Sequence, residues 1–222
     1  MRFDLHLHTF RSPDSLTSYE AVIAAVQRRG LDGIAVTDHN TIRGALDLAE
    51  RAPFPVIVAE EVRTAAGEVI GYFLCEEIPR GLSLDETIDR IRVQGGVISV
   101  PHPVDRVRRA SALGMTELLR AIDRVDALEV LNARCTFTAD NQLAAQVARQ
   151  HGKLVTAGSD AHAACEIGQA FVELAPFDGP ECFLESLKQA RIAGRMSLPW
   201  VRLNSAYAKI ARKLRGRREW PR

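Results

Sequence analysis

Short runs rich in Val, Ile and Ala recur along this chain, and a helical pattern fills the interval after nearly every one of them. Phe3–Thr9, Gly33–Thr37, Val56–Ala59, Val97–Val100, Ala127–Leu131 and Leu154–Ala157 read as strands. Ala170–Leu174 is a further candidate, and Val69–Leu74 reads as an extension paired back through a turn at Ala65–Gly67. The intervening helices carry their own punctuation. Thr17 and Glu20 predict a capping box for a helix stopped at Gly30, and Ser83 and Glu86 predict another, closed by Gly95-Gly96. A short helix is expected through Ala45–Arg51, and further helices around Thr116–Arg124, over Thr138–His151 and after Pro180. Strands this short and apolar, separated by helices, favour a parallel sheet buried on both faces. Six or seven such units, with no repeated glycine-rich phosphate fingerprint, point to an α/β fold of the β/α-barrel type more than to an open doubly wound sheet. We expect one domain over residues 1–198, followed by a basic tail over 199–222.

Composition serves mainly to exclude. The 222 residues are 46% hydrophobic and 26% charged, enough for one sizeable core and too ordinary for a disordered or low-complexity chain. No apolar run approaches the roughly 20 residues of a membrane helix, so no membrane partner is expected. The N-terminus MRFDLHLHTF lacks the basic start and apolar stretch of a signal peptide. Cys75, Cys135, Cys165 and Cys182 show no close-paired spacing, which suits a reducing, cytoplasmic setting and argues against a thiolate zinc site. The net charge of +1 hides an asymmetry: seven basic residues stand against one acid between Lys209 and Arg222, so the remaining body is mildly acidic. Leu203, Ala206, Tyr207, Ile210 and Leu214 fall at helical spacing, so Asn204–Arg215 reads as an amphipathic helix. Two readings stay open for it: docking by the apolar stripe with Arg and Lys outward, or contact with RNA or another acidic partner. No pattern specifies an oligomeric state.

The histidines carry the functional signal. Five of the six, His6, His8, His39, His102 and His162, sit at or just past the C-terminal end of an expected strand. Acids accompany them: Asp4 and Asp14 near the first strand, Asp38 beside His39, Glu60 and Glu61 after the third, Glu129 in the Ala127–Leu131 strand and Asp160 before His162. In a β/α barrel the C-terminal strand ends converge on one face, where the chemistry lies. Positions i and i+2 on a strand point the same way, so His6 and His8 offer two imidazoles to one ion, and Asp160 and His162 repeat the geometry. Each piece alone has a plainer explanation. His102, between Pro101 and Pro103, is expected to be extended and to suit either a ligand or a rigid turn; Ser159–His162 has the look of a helix cap. Holding together at successive strand ends, they predict a metal site. Imidazole plus carboxylate without thiolate suits Zn, Mn or Fe. The candidate ligands His6, His8, Asp14, His39, Glu61, His102, Asp160 and His162 exceed the needs of one ion, so two or three divalent ions are expected.

Taken in order, these residues resemble the PHP family, the polymerase and histidinol phosphatase domain. The motifs are Asp4-Leu5-His6-Leu7-His8-Thr9 with Asp14 after Ser12-Pro13, Thr37-Asp38-His39, Glu61-Val62, Pro101-His102-Pro103 and Gly158-Ser159-Asp160-Ala161-His162. They run over most of the chain and look most like the stand-alone phosphoesterase branch. The resemblance implies a distorted (β/α)7 TIM-like barrel around a trinuclear cluster. On that pattern His6, His8, Glu61 and Asp160 hold one ion, Glu61 bridges to a second that takes His102, and Asp14, His39 and His162 hold a third. Glu61 is preferred to Glu60 because it precedes an apolar residue. Some members supply another histidine where this chain reads Glu129-Val130-Leu131-Asn132-Ala133-Arg134-Cys135, leaving the second ion weakly held, absent, or completed by Asn132 or a water.

The expected activity is hydrolysis of a phosphate ester by a metal-bridging hydroxide, with His102 and Asp160 essential to turnover. The substrate is a small phosphorylated molecule, a nucleotide or a short oligonucleotide. Arg106 and Arg134 are candidates to grip the phosphate, with Arg43 a third. Exonuclease-like action on short oligonucleotides and metal-dependent amide hydrolysis are the competing expectations.

Overall fold

In the computed structural model, residues 1–215 are described; the tail residues Arg217, Arg218 and Arg222 lie outside that range. The strands are β1 (Arg2–Leu7), β2 (Gly33–Val36), β3 (Val56–Arg63), β4 (Glu68–Tyr72), β5 (Val97–Val100), β6 (Ala127–Asn132), β7 (Leu154–Gly158), β8 (Ala170–Glu173) and β9 (Arg191–Gly194). The helices are α1 (Tyr19–Arg29), α2 (Arg43–Ala49), α3 (Leu84–Val93), α4 (Gly114–Ala121), α5 (Thr138–Gln150), α6 (Gly179–Leu187) and α7 (Arg202–Arg215). The strands join in the order β7-β6-β5-β4-β3-β2-β1-β8-β9. Pairing is parallel along β1-β2-β3 and β5-β6-β7, while β4 runs antiparallel to both β3 and β5.

The sheet curls into a nearly closed, distorted β/α barrel. At the seam, β8 pairs antiparallel with the start of β1. At the other end of β1 the chain leaving β7 takes over: Leu7 and Ala161 form a parallel bridge, and the His8 N–H donates to the Ala161 carbonyl at 2.9 Å. Gly158 permits this approach, since a Cβ there would stand 2.7 Å from the His6 backbone nitrogen. Asp4 locks the seam from below, accepting from the backbone N–H of Ser159 at 2.9 Å and of Gly168 at 2.8 Å. Burial pushes this carboxyl up to about 6 even against those bonds.

Local sequence accounts for most elements. Ser83 and Glu86 form the expected reciprocal cap of α3, and Gly30 closes α1 in the left-handed conformation. The cap of α1 is corrected by one residue. Ser18 accepts from the Ala21 N–H, while the Thr17 hydroxyl donates to the His162 carbonyl. The hairpin through Ala65–Gly67 forms, but β3 runs on to Arg63, so Glu60 and Glu61 lie within it. Alternation then separates them. Glu60 turns outward to accept the Ile78 N–H at 2.9 Å, and burial raises it to about 8. Leu5, Ala35, Ile57, Ile70 and Tyr72 belong to one buried cluster that lines the barrel; a second packs α3 and α4 on the sheet, a third α1 and α2.

Candidate metal centre

Seam closure also builds the candidate site. β1 carries His6 and leads into His8, and the segment after β7 brings Asp160 and His162 alongside. β3 supplies Glu61; His39 follows β2, His102 follows β5, and Asp14 stands in the loop before α1. The structure thus brings together all eight side chains named from the sequence as candidate ligands, seven buried and His39 partly so.

Glu61 is the centre of the arrangement. Its Oε2 lies 3.4 Å from the Nε2 atoms of both His6 and His8 and 3.1 Å from His39 Nδ1; its Oε1 lies 3.1 Å from His102 Nε2. A carboxylate whose two oxygens face different imidazoles has the geometry to bridge two ions. Asp160 Oδ1 is 3.4 Å from His8 Nε2 and 3.5 Å from His162 Nδ1. Asp14 completes a second group, 3.3 Å from His162 Nε2 and 3.5 Å from His39 Nε2. The Nε2 atoms of His6 and His8 are buried and make no hydrogen bond, which is the condition expected of imidazoles awaiting an electrophile. Within each of three triads, His6–His8–Glu61, His8–His39–His162 and His39–Glu61–Glu68, the ligand atoms all lie within 4.8 Å of one another. The donor set therefore fits divalent ions of the borderline class.

The charges hold one another in place. Burial alone would lift the Glu61 and Asp160 carboxyls, yet His6 and His39 hold Glu61, and Arg108 and His6 hold Asp160, well below the usual carboxylate range. Asp14 is likewise depressed against burial by hydrogen bonds from His162 and His39. Burial would depress the His6 imidazole, but Glu129, Glu61 and Asp160 outweigh it and raise it; Glu61 and Asp14 carry His39 up to about 10. His8 is the exception, lowered to about 3 by burial and by its neighbour His162.

A supporting layer comes from β6. Glu129 accepts from the His102 N–H at 2.8 Å and from Asn132 Nδ2 at 2.9 Å, and its Oε1 meets His6 Nδ1 at 3.0 Å. Such partners fix the orientation of a ligating ring. The Asn132 amide nitrogen donates to Glu129 and Asp160, and its oxygen accepts the Arg134 N–H at 2.9 Å. Glu68, which the sequence reading did not single out, also reaches the cluster, 3.7 Å from His102 Nε2. Burial and then the Glu61 charge raise its carboxyl. Its signal was the hairpin itself, whose register puts Glu68 opposite Arg63, two residues beyond Glu61 on the same face. The backbone at the site is strained. His102 has φ 30° and Asp160 φ 52°, so His102 is not extended as the flanking prolines suggest; its N–H is drawn to Glu129 while its carbonyl accepts from Asp105.

The cationic residues divide. Arg134 is buried and reaches the site, with Nη1 2.5 Å from His162 Nδ1 and Nε 3.2 Å from Glu166. Arg106 turns away, bonding Asp140 at 2.7 Å and lying over the Phe137 ring, and Arg43 pairs with Glu77 on the exposed rim. Arg108, two residues beyond Arg106, takes the place expected of it and bonds Asp160. The cluster opens into a cavity of about 420 Å³ whose wall includes Arg108, Arg134 and Lys209. Among the described residues no helix is long and apolar enough to cross a membrane.

Comparison with known proteins supports the fold and the family. Residues 4–67 match the model of the PHP domain, and residues 138–192 match a PHP-associated model. Two uncharacterized proteins of Methanocaldococcus jannaschii are similar in sequence. One is 36% identical over 146 residues, covering 60% of this chain and 82% of its own; the other is 34% identical over 197 residues, covering 85% and 79%. Among solved structures, a Bacteroides vulgatus two-domain protein containing a predicted PHP-like metal-dependent phosphoesterase superposes with a TM-score of 0.73 at 18% identity. That match covers 88% of this chain and 65% of the larger one. An amidohydrolase from Chromobacterium violaceum superposes with a TM-score of 0.61, also at 18% identity, covering 86% and 97%.

Proposed function

From the premise that this chain belongs to the PHP domain family, we propose that it is a metal-dependent phosphoesterase acting on a small phosphate ester. The observation that carries the reading is the pairing of two opposite features in one cavity. Its floor is a ring of imidazoles and carboxylates able to hold divalent ions, and its wall carries Arg108, Arg134 and Lys209. A cationic wall over a metal-binding floor suits an anionic substrate, and guanidinium groups suit phosphoryl oxygens. A neutral amide offers that wall no charge to bind in the ground state.

Two or three divalent ions, Zn, Mn or Fe, would be held by His6, His8, Glu61 and Asp160, by Glu61 with His102 and Glu68, and by Asp14, His39 and His162. When bound, such ions supply Lewis-acid polarisation of the phosphoryl group and activation of a water. The chain's own contribution is positioning. Glu129 and Asn132 hold His6, His102 and Asp160 in fixed orientation, which lowers the reorganisation needed during reaction. Arg108 and Arg134 line the approach, where they would bind and orient the ester.

The test is phosphate release by metal-loaded protein from a panel of phosphomonoesters, a mononucleotide and a short oligonucleotide, with amide substrates alongside. Asp160→Ala and His102→Ala are each expected to lower turnover about a thousandfold, the scale of losing one preorganised electrostatic contact in the transition state. Hydrolysis of the amides in preference to the esters would refute the proposal, as would full phosphate release by both variants.

A further inference from the structure

α7 is seated the opposite way to a helix held by hydrophobic packing. Leu203, Tyr207 and Ile210 are 67%, 65% and 59% exposed, so the expected docking by the apolar stripe is corrected. The polar side faces the barrel. The Asn204 amide donates to Glu166 at 3.3 Å, the Ser205 hydroxyl accepts from Arg134 at 2.9 Å, and the Arg212 guanidinium donates to the Phe10 and Ser15 carbonyls. Residues four and seven positions apart share a helix face, which puts Lys209 between Ser205 and Arg212. Its Nζ lies 3.3 Å from Asp14 Oδ2, and both Ser205 and Lys209 line the cavity above the candidate metal centre.

We propose that α7 completes the substrate site, with Lys209 supplying the cation that receives the outer oxygens of the bound phosphate. Among the other cations of the cavity, Arg134 pairs with Glu166 at 3.2 Å and Arg108 with Asp105 at 3.4 Å besides its bond to Asp160. Glu166 and Asp105 lie outside the candidate ligand set, whereas Arg63 pairs at 3.1 Å with Glu68, which is within it. Lys209 pairs with a candidate ligand, Asp14, and its side chain is 63% exposed, against 37% for Arg63 and less for Arg108 and Arg134, so it has the most freedom to change partner. An ion held by Asp14 would draw charge from that carboxylate and leave the ammonium less compensated at the cavity wall, where an anionic substrate would restore the balance. An exposed lysine on a four-carbon stem reaches such an anion as a point charge with rotatable donors. The polar contacts of Asn204, Ser205 and Arg212 then have a purpose beyond packing, since they fix the helix that presents it.

The proposal deepens the phosphoesterase reading, which supplies the identity of the anion, and its test separates the two. Inorganic phosphate is titrated calorimetrically into full-length, metal-loaded protein, with metal content measured by elemental analysis. Lys209→Ala is expected to weaken phosphate binding about fivefold, the effect of one partly screened charge-assisted bond, with metal content unchanged. Lys209→Arg keeps most of the affinity, and Ile210→Ala, on the outward face, keeps all of it. In turnover, KM rises with the loss of affinity while kcat stays nearly constant. Equal phosphate affinity in wild type and Lys209→Ala overturns the proposal. So do failure of the wild type to bind phosphate, an equal loss in Ile210→Ala, or loss of metal together with phosphate. If phosphate binding depends on Lys209 yet no ester is hydrolysed, the phosphoesterase reading falls and the role of Lys209 in anion binding stands.

Discussion

The mouth of the barrel and α7 both reverse the usual arrangement of a folded chain, in opposite senses. The mouth buries charge: Glu61, Asp160 and His6 are at most 1% exposed. α7 exposes apolar surface while turning polar groups inward. The difference lies in how many partners each group has. Glu61 faces four imidazoles and Asp160 faces three together with Arg108. Buried ions are tolerable only when paired this densely, because desolvation costs several kcal/mol per ion and attraction must repay it. The inward polar contacts of α7 are side-chain bonds at a partly exposed surface, where one is worth about 1 kcal/mol, and beside them the helix buries the small side chain of Ala208. The mouth is over-determined, and α7 is lightly tethered.

That contrast is broken most directly at its strongest point. Glu61→Gln removes the anion shared by His6, His8, His39 and His102. Metal content by elemental analysis should fall and turnover should drop about a thousandfold. Stability in urea with chelator present should fall by about 3 kcal/mol, the scale of leaving a buried charge without its partner. A Glu61→Gln protein as stable as wild type under those conditions would mean that the mouth is not held by its own charges.

Glu68 tests the edge of the same network. Its carboxylate lies 3.7 Å from His102 and within 4.8 Å of ligand atoms of His39 and Glu61, but it is shared with Arg63, so its loss should matter less. Glu68→Ala is expected to lower metal affinity about tenfold, the low end of what supporting residues contribute, measured by competition with a chromophoric chelator. Wild-type affinity in that variant would confine the cluster to the residues at the ends of the parallel strands.

How much of this was legible follows from what a sequence pattern encodes. The convergence of His6, His39, His102 and His162 was readable because parallel strands deliver their C-terminal ends to one face regardless of detail. The β3–β4 hairpin was readable from its turn, whereas Glu68 was not: a search at strand ends passes over an antiparallel strand that begins at the mouth. Arg106 and Arg108 were indistinguishable in sequence. Asp140 and Phe137 decide which of them turns away, and both belong to a distant segment. Ser18 and Thr17 are equally good cap residues, and only the His162 carbonyl, brought in by the seam, assigns Thr17 elsewhere. The stripe on α7 was legible as a stripe. Periodicity says that a helix has two faces and leaves open which one meets the body.

The orientation of α7 is therefore the point most worth measuring, and it carries the smallest expected effect. Ile210→Ser places a hydroxyl where the side chain is 59% exposed, so thermal stability should change by less than about 0.5 kcal/mol, as for other surface substitutions. Leu118→Ala, at a fully buried position of α4 in the core, should cost about 2–5 kcal/mol by the same measurement. The ratio decides the matter better than either value alone. A loss at Ile210 approaching that at Leu118 would mean that the apolar face is packed in solution, and the lightly tethered, inward-polar arrangement of α7 would have to be abandoned.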